Sequence, residues 1–376
     1  MNKIAVLIIS LLLFLSSYYV GSKILTLLEK FLKFKWPVLF WMIFSLLTLS
    51  TCLTFLLFDK NVGAFVGKLG SYWFAFLLTA LVVFGLTGVF YRIASKLMPL
   101  SDQNETLITL GALLFILLFI GYGFWQGQAI KTAHYQVNID KRAKSDKKNL
   151  RAVLISDVHL GYINDEKKFE KIVTKINALH PDIVLISGDL FDGNYEALQE
   201  PQKIIKELNR LNANYGTYLC WGNHDAGETF KKMKALVAKT DITLLEDEIA
   251  IVEDTFLIAG RKDSRPIGSQ DGKRQSIEKQ LKAAREDLPV IILDHQPSTI
   301  NEYGGNVDLI VSGHTHQGQV FPFNLVTNAY FTVDYGYYRK ENVAPQVVVS
   351  SGVGVWGPPM RVGTQSEIVA IDIKLK

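Results

Sequence analysis

The run Ile183-Val184-Leu185-Ile186-Ser187, followed by Gly188-Asp189-Leu190-Phe191-Asp192, decides the reading of this chain. Five uncharged residues rich in β-branched side chains read as a buried strand. A glycine then permits a tight turn, and two carboxylates follow it. The same design recurs along the chain. Residues 152–156 lead into Asp157-Val158-His159, and 217–221 into Gly222-Asn223-His224-Asp225. Residues 290–293 lead into Asp294-His295, and 309–312 into Gly313-His314-Thr315-His316. Five of the seven histidines lie in these blocks. An ordered series of oxygen and nitrogen donors at strand ends points to a two-metal hydrolytic site. In the last block, the histidines at i and i+2 are expected to project to one side of an extended segment.

Between the strands lie helical patterns at 166–179, 196–211, 228–239 and 274–286. Strands alternating with helices argue for an α/β core. Further strands at 249–258, 347–350 and 368–373 make the later part too strand-rich for a simple doubly wound sheet. The expected domain covers 151–376. Its expected fold is an α/β four-layer sandwich, with two mixed β-sheets packed together and flanked by helices.

The first third differs in character. Residues 4–22, 36–58, 69–91 and 106–130 carry no charge, and each is long enough to cross a hydrocarbon core. Aromatic residues such as Tyr18, Tyr19, Trp36, Trp73 and Trp125 stand near their ends. The chain therefore reads as a four-helix transmembrane region over 1–130, with spans at about 4–22, 36–58, 69–91 and 106–127. A polar, lysine-rich connector is expected over 131–150, holding Lys141, Arg142, Lys144, Lys147 and Lys148. Four spans put the N-terminus and the globular domain on one side. Lys23, Lys30, Lys33, Lys35, Arg92 and Lys96 flank the other side, against Lys3, Lys60, Lys68 and Lys131 on the domain side. The positive-inside rule then favours a domain outside the cytoplasm, whereas counting the 141–148 cluster reverses the balance.

Residues 1–130 hold nine Lys+Arg against four Asp+Glu, leaving 31 against 32 in the remainder of the 40 and 36. A near-neutral globular domain is not a nucleic-acid binder by composition, and no nucleic-acid partner is expected. Cys52 and Cys220 are the only cysteines, one in a span and one in a strand, so no disulfide framework is expected. His134 in the connector and His180 before Pro181 read as incidental.

The order Asp-x-His, Gly-Asp-x-x-Asp, Gly-Asn-His-Asp, His, Gly-His-x-His resembles the calcineurin-like metallophosphoesterase superfamily. Leu293-Asp294-His295-Gln296-Pro297 and Gly313-His314-Thr315-His316-Gln317-Gly318-Gln319 look most like its membrane-linked or exported bacterial branch. The segments 350–354 and 358–361 extend the likeness. The resemblance implies one metal held by Asp157, His159, Asp189 and His316, and a second held by Asp189, Asn223, His295 and His314. It implies that His224 faces the substrate and assists the leaving oxygen, with Asp192 orienting its imidazole. Mixed His/Asp/Asn ligation suits two divalent ions such as Mn, Fe or Zn better than Mg. A pair of ions sharing Asp189 would acidify a water between them and neutralise phosphate oxygens.

The expected function is a membrane-anchored, metal-dependent phosphoesterase in contact with the lipid bilayer. A lipid-linked phosphoester or pyrophosphate is one substrate class. Soluble nucleotides or phosphoproteins are another, with the spans serving as a tether. An inactive sensor or interaction protein is the reading from a different class. Two stretches could build the substrate side: a polar cap over 261–285, and the aromatic-rich 321–338. In the latter, rings such as Phe321 and Phe323 are candidates for contact with the bilayer or a lipid chain.

Overall fold

The computed structural model describes residues 3–57, 61–141, 148–283, 287–339 and 345–376. Lys60, Arg142, Lys144 and Lys147, used in the charge comparison above, lie outside the described residues. The chain divides into two compact units, one made of the residues up to Trp125 together with Gly357–Met360, the other of Gln126–Trp356 and Arg361–Lys376.

The first unit holds α1 (Lys3–Leu32), α2 (Pro37–Leu56), α3 (Ala64–Leu97) and α4 (Asp102–Gln128). All four are long and apolar enough to cross a membrane. Helices α1, α3 and α4 run beyond the uncharged stretches, because polar flanking residues continue them. Val20, Phe44, Ala80, Phe84 and Ile116 form the core, while Leu46, Leu86 and Leu118 face outward. In lipid no hydrophobic force draws helices together, so small and hydroxyl residues carry the contacts. The Thr48 hydroxyl pairs with that of Ser17 at 2.7 Å and accepts from Trp73 Nε1 at 3.2 Å. At Gly70, α3 comes so close to α2 that an added Cβ would meet Thr54 Oγ1 at 2.3 Å.

The second unit contains two six-stranded mixed sheets. In spatial order the first is β1 (Ile130–Ile139), β12 (Ser366–Leu375), β2 (Asn149–Ile155), β3 (Ile183–Ser187), β4 (Thr217–Cys220) and β5 (Thr243–Leu244). The second is β10 (Gly336–Tyr338), β11 (Gln346–Val349), β9 (Leu309–Ser312), β8 (Val290–Leu293), β7 (Phe256–Gly260) and β6 (Glu248–Val252). Strand periodicity explains the layers. Ala152, Leu154, Ile183 and Leu185 meet Ile258, Leu293 and Val311 between the sheets. Their alternating neighbours Val153, Ile155, Val184 and Ile186 turn outward, toward α5 (Glu166–Ala178), α6 (Pro201–Leu208) and α7 (Phe230–Val237). On the other side, α8 (Glu278–Ala283) and the 3₁₀ segment Pro297–Glu302 bring Leu281 and Ile300 onto the second sheet. The expected four-layer α/β sandwich is the observed fold.

Three local expectations need correction. Residues 131–150 are not merely a connector: β1 pairs in parallel with β12 over ten residues, from Ile130↔Ser366 to Ile139↔Leu375. Its outward positions are polar, which hid the strand, whereas Val137 and Ile139 point into the core between the sheets. The run 249–258 is not one strand. It breaks at Glu253 and Asp254, both with positive φ, into the antiparallel pair β6 and β7. The helix read over 196–211 is confined to α6, which Pro201 opens from the first turn. Part of the expected helix 274–286 lies outside the described residues.

Val137→Asp would place an unpaired carboxylate in that core and should cost at least ~3 kcal/mol. Asn138→Asp, at an exposed position of the same strand, should stay within about 0.5 kcal/mol. Thermal unfolding of the two variants checks whether this stretch is a structural strand or a spacer.

Candidate metal centre

Parallel pairing of β2, β3 and β4 puts their C-terminal ends side by side, and pairing of β8 and β9 does the same in the other sheet. The two groups of ends are tied directly. Ser187 Oγ donates to the Val311 carbonyl at 2.9 Å, and His295 Nδ1 donates to the Ser187 carbonyl at 2.8 Å. All nine residues picked from the sequence stand in the loops that follow these five strands.

The loops hold an unusual backbone. Asp157, His159, Asp189, His314 and His316 all have φ between 48° and 72°. Non-glycine residues seldom adopt this left-handed region, at a cost of roughly 1–3 kcal/mol each. It replaces the extended geometry expected for His314 and His316. Those two rings reach different partners: His314 Nδ1 lies 2.8 Å from Asn223 Oδ1, and His316 Nε2 lies 3.4 Å from Asp157 Oδ1.

Asp189 is central. Its Oδ1 accepts from the His224 backbone N–H at 2.7 Å. Its Oδ2 lies 3.2 Å from His295 Nε2 and 3.6 Å from His159 Nε2. Two donor groups converge here: Asp157 with His159 and His316, and Asp157 with Asp189 and His295. Burial pushes the Asp189 carboxyl up, but His295, His224 and His159 outweigh it and hold it well below its ordinary range.

The ring nitrogens fit a cation. Because His295 Nδ1 donates to that carbonyl, Nε2 is the nitrogen that faces Asp189 Oδ2 and, at 3.0 Å, Asn223 Oδ1. Against burial, Asp189 and Asp157 push this imidazole well above its ordinary pKa, and a cation would take the place of its Nε2 proton. Donation from His159 Nδ1 to Asp192 Oδ1 at 3.1 Å likewise turns Nε2 into the site, 3.1 Å from His316 Nε2, and against burial Asp192 and Asp189 push this imidazole up. Acceptors this close need an extra proton or a shared cation. Burial, reinforced by His159 and Arg361, holds His316 well below the imidazole range, and burial with His295 pushes His314 down to about 3. Both therefore offer neutral nitrogens, the form that binds metal.

This arrangement can be compared with known proteins. The profile of the calcineurin-like phosphoesterase family matches residues 150–318. An uncharacterized metallophosphoesterase of Helicobacter pylori (strain ATCC 700392 / 26695) is 32% identical over 308 residues, covering 78% of this chain and 79% of that protein. The chain belongs to the calcineurin-like metallophosphoesterase family. A Danio rerio protein described as a transmembrane protein with metallophosphoesterase domain is 30% identical over 323 residues, covering 80% of this chain and 71% of that one. An Aquifex aeolicus uncharacterized metallophosphoesterase is 29% identical over 273 residues, covering 70% of this chain and 99% of that one.

In this metallophosphoesterase, Asp192 differs from expectation. Its hydrogen bond goes to His159 rather than to His224, because Asp192 N donates to the Leu160 carbonyl at 3.1 Å and so sets the carboxylate beside the His159 loop. A ring nitrogen of His224 is nevertheless within 4.8 Å of it. His224 Nδ1 is buried and has no hydrogen-bond partner among the described residues, and its ring lies 5.0 Å from that of His159 and 5.4 Å from that of Trp356.

Several supporting residues had no role assigned from the sequence. Asp225 accepts from the backbone N–H groups of Leu190, Phe191 and Gly222, tying the Asp189 and Asn223 loops together. Arg361 is buried and donates to the carbonyls of Ser351, Gly352, Gly354 and His316. Asn164 donates to the His159 and Val355 carbonyls and accepts from Lys168, whose ammonium burial pushes down to about 7. Asp225 was visible in its block, and only its role was unread.

Gly222 has no room for a side chain, since a Cβ would meet Asp189 Oδ1 at 2.2 Å. Gly222→Ala should displace that carboxylate, destabilise the protein by about 1–3 kcal/mol and lower its bound metal. Gly305→Ala, where a Cβ meets nothing within 4 Å, is the control. Thermal unfolding and elemental analysis of the purified variants read both effects.

Proposed function

We propose that this protein is a membrane-anchored, dinuclear metal-dependent phosphoesterase. One divalent ion would be held by Asp157, His159, Asp189 and His316, and the other by Asp189, Asn223, His295 and His314. The observation that carries this reading is the position of Asp189, whose Oδ2 lies within 3.6 Å of His159 Nε2 and 3.2 Å of His295 Nε2. The donor set of imidazole nitrogens, carboxylates and one amide oxygen favours Mn, Fe or Zn. When bound, such ions supply Lewis acidity toward phosphate oxygens and toward the attacking water.

The protein's own groups then divide the work. Asp192 fixes the His159 tautomer, so that Nε2 presents its lone pair. Asn223 is placed by the loop that Asp225 braces. His224 is the group free for proton transfer: burial keeps its pKa below the ordinary imidazole value, and Nδ1 carries no competing hydrogen bond. Trp356 beside it limits water on that side.

The four apolar helices and the relatives named as transmembrane proteins support membership of the membrane-linked branch. They also favour a phosphoester or pyrophosphate carried on a lipid over a soluble nucleotide or phosphoprotein.

His224→Ala should retain both metals and lose at least ~100-fold in turnover of a bis-aryl phosphodiester and an aryl monoester assayed with Mn. Loss of metal in that variant, or wild-type turnover, would remove the assignment. A phospholipid and lipid-pyrophosphate panel assayed beside soluble nucleotides then tests the substrate class.

A further inference from the structure

Among the described residues of the α/β unit, five of the nine exposed large apolar side chains gather in one place, while Ile251, Ile267, Tyr337 and Trp356 lie outside that segment. Phe321, Phe323, Leu325, Val326 and Tyr330 are 53–67% exposed. Four of them belong to α9 (Phe323–Tyr330), and no residue of that helix is buried.

This helix is amphipathic in the opposite sense to a water-facing one. Its half-buried residues are the polar Asn324 and Thr327, and its apolar side chains turn outward. The polar side is held in place. Thr327 Oγ1 donates to Asp334 Oδ2 at 3.0 Å, and Phe321 N donates to the Val362 carbonyl at 2.9 Å. Gly318 touches the start of the helix so closely that a Cβ would meet Asn324 N at 2.2 Å. The apolar face is therefore presented by fixed structure.

The surrounding sequence has the matching chemistry. From Gln317 to Val333 there is no charged residue, in a chain that is 20% charged. An uncharged aliphatic and aromatic surface is unfavourable in water and suits the lipid–water interface. The chain carries four helices apolar enough to span a membrane, and the α/β unit begins at Gln126, within the last turn of α4. Covalent connection alone keeps this unit at a bilayer surface.

We propose that α9 inserts Leu325, Val326 and Tyr330 into the interfacial layer of the bilayer. Insertion would hold the candidate metal centre at the level of lipid headgroups. His316 opens the turn before α9, and the Phe331 ring just after it lies 6.0 Å from that of His314. The catalytic meaning of this placement rests on the phosphoesterase reading, whereas the insertion does not.

Both native cysteines are buried, so a nitroxide can be directed to one introduced cysteine in the full-length protein. Leu325→Cys and Val326→Cys are labelled in nanodiscs of phosphatidylglycerol and phosphatidylcholine. Lys239→Cys on the α/β surface serves as the aqueous reference, and Leu118→Cys on the outer face of α4 as the lipid reference. Collision rates with oxygen and with a water-soluble nickel chelate are then measured. The expected result is a ratio at 325 and 326 shifted toward that of Leu118→Cys, with oxygen favoured. Nickel access equal to that of Lys239→Cys would overturn the proposal. Shielding from both reagents would overturn it too, pointing instead to a protein or a second copy on this face. The readout needs no turnover, so an inactive protein with an inserted α9 would overturn the hydrolase reading alone.

Discussion

Asp189 carries a buried carboxylate at the meeting point of two histidine sets. A charge taken out of water costs several kcal/mol unless it is paired, and this one is surrounded by donors that only the assembled fold provides. One comes from the β4 loop, through the His224 N–H at 2.7 Å, and others from β2 and β8, through His159 and His295. A single sheet could not bring all of them together. The sandwich can, because the strand ends of both sheets meet where Ser187 links β3 to His295 and Val311.

Keeping that carboxylate in place explains features that would otherwise be costly. Five residues around it hold left-handed backbone. Gly222 and Gly313 lack side chains because Asp189 and Asp157 occupy the space, with added Cβ atoms falling 2.2 and 2.3 Å from carboxylate oxygens. Asp225 spends three hydrogen bonds on backbone alone. Such strain and close packing persist where surrounding structure enforces them.

Much of this was legible in the residues. Short β-branched runs ending in glycine and polar donors are local signals, and five of them gave the strand ends, the layer architecture and the cluster at 157–316. What escaped was non-local or disguised. Strand β1 alternates polar and apolar residues at a sheet edge, so its Lys131, His134 and Gln136 read as a linker. The partner of Asp192 depends on the Leu160 carbonyl and not on sequence distance. Arg361, Asn164 and Trp356 belong to loops whose contacts exist only once distant segments meet. The aromatic run at 321–338 was visible and its contact with lipid a candidate, but the helix Phe323–Tyr330 and the set of side chains it turns outward were not, because a short helix pattern does not reveal which face meets the core.

The central claim is that one carboxylate serves two metal ions. Electron paramagnetic resonance of the full-length protein loaded with two equivalents of Mn(II) tests it most directly. A shared Asp189 predicts an exchange-coupled pair, which Asp189→Asn would reduce to uncoupled ions or remove. Isolated six-line Mn(II) spectra from the unsubstituted protein at full loading would contradict the account.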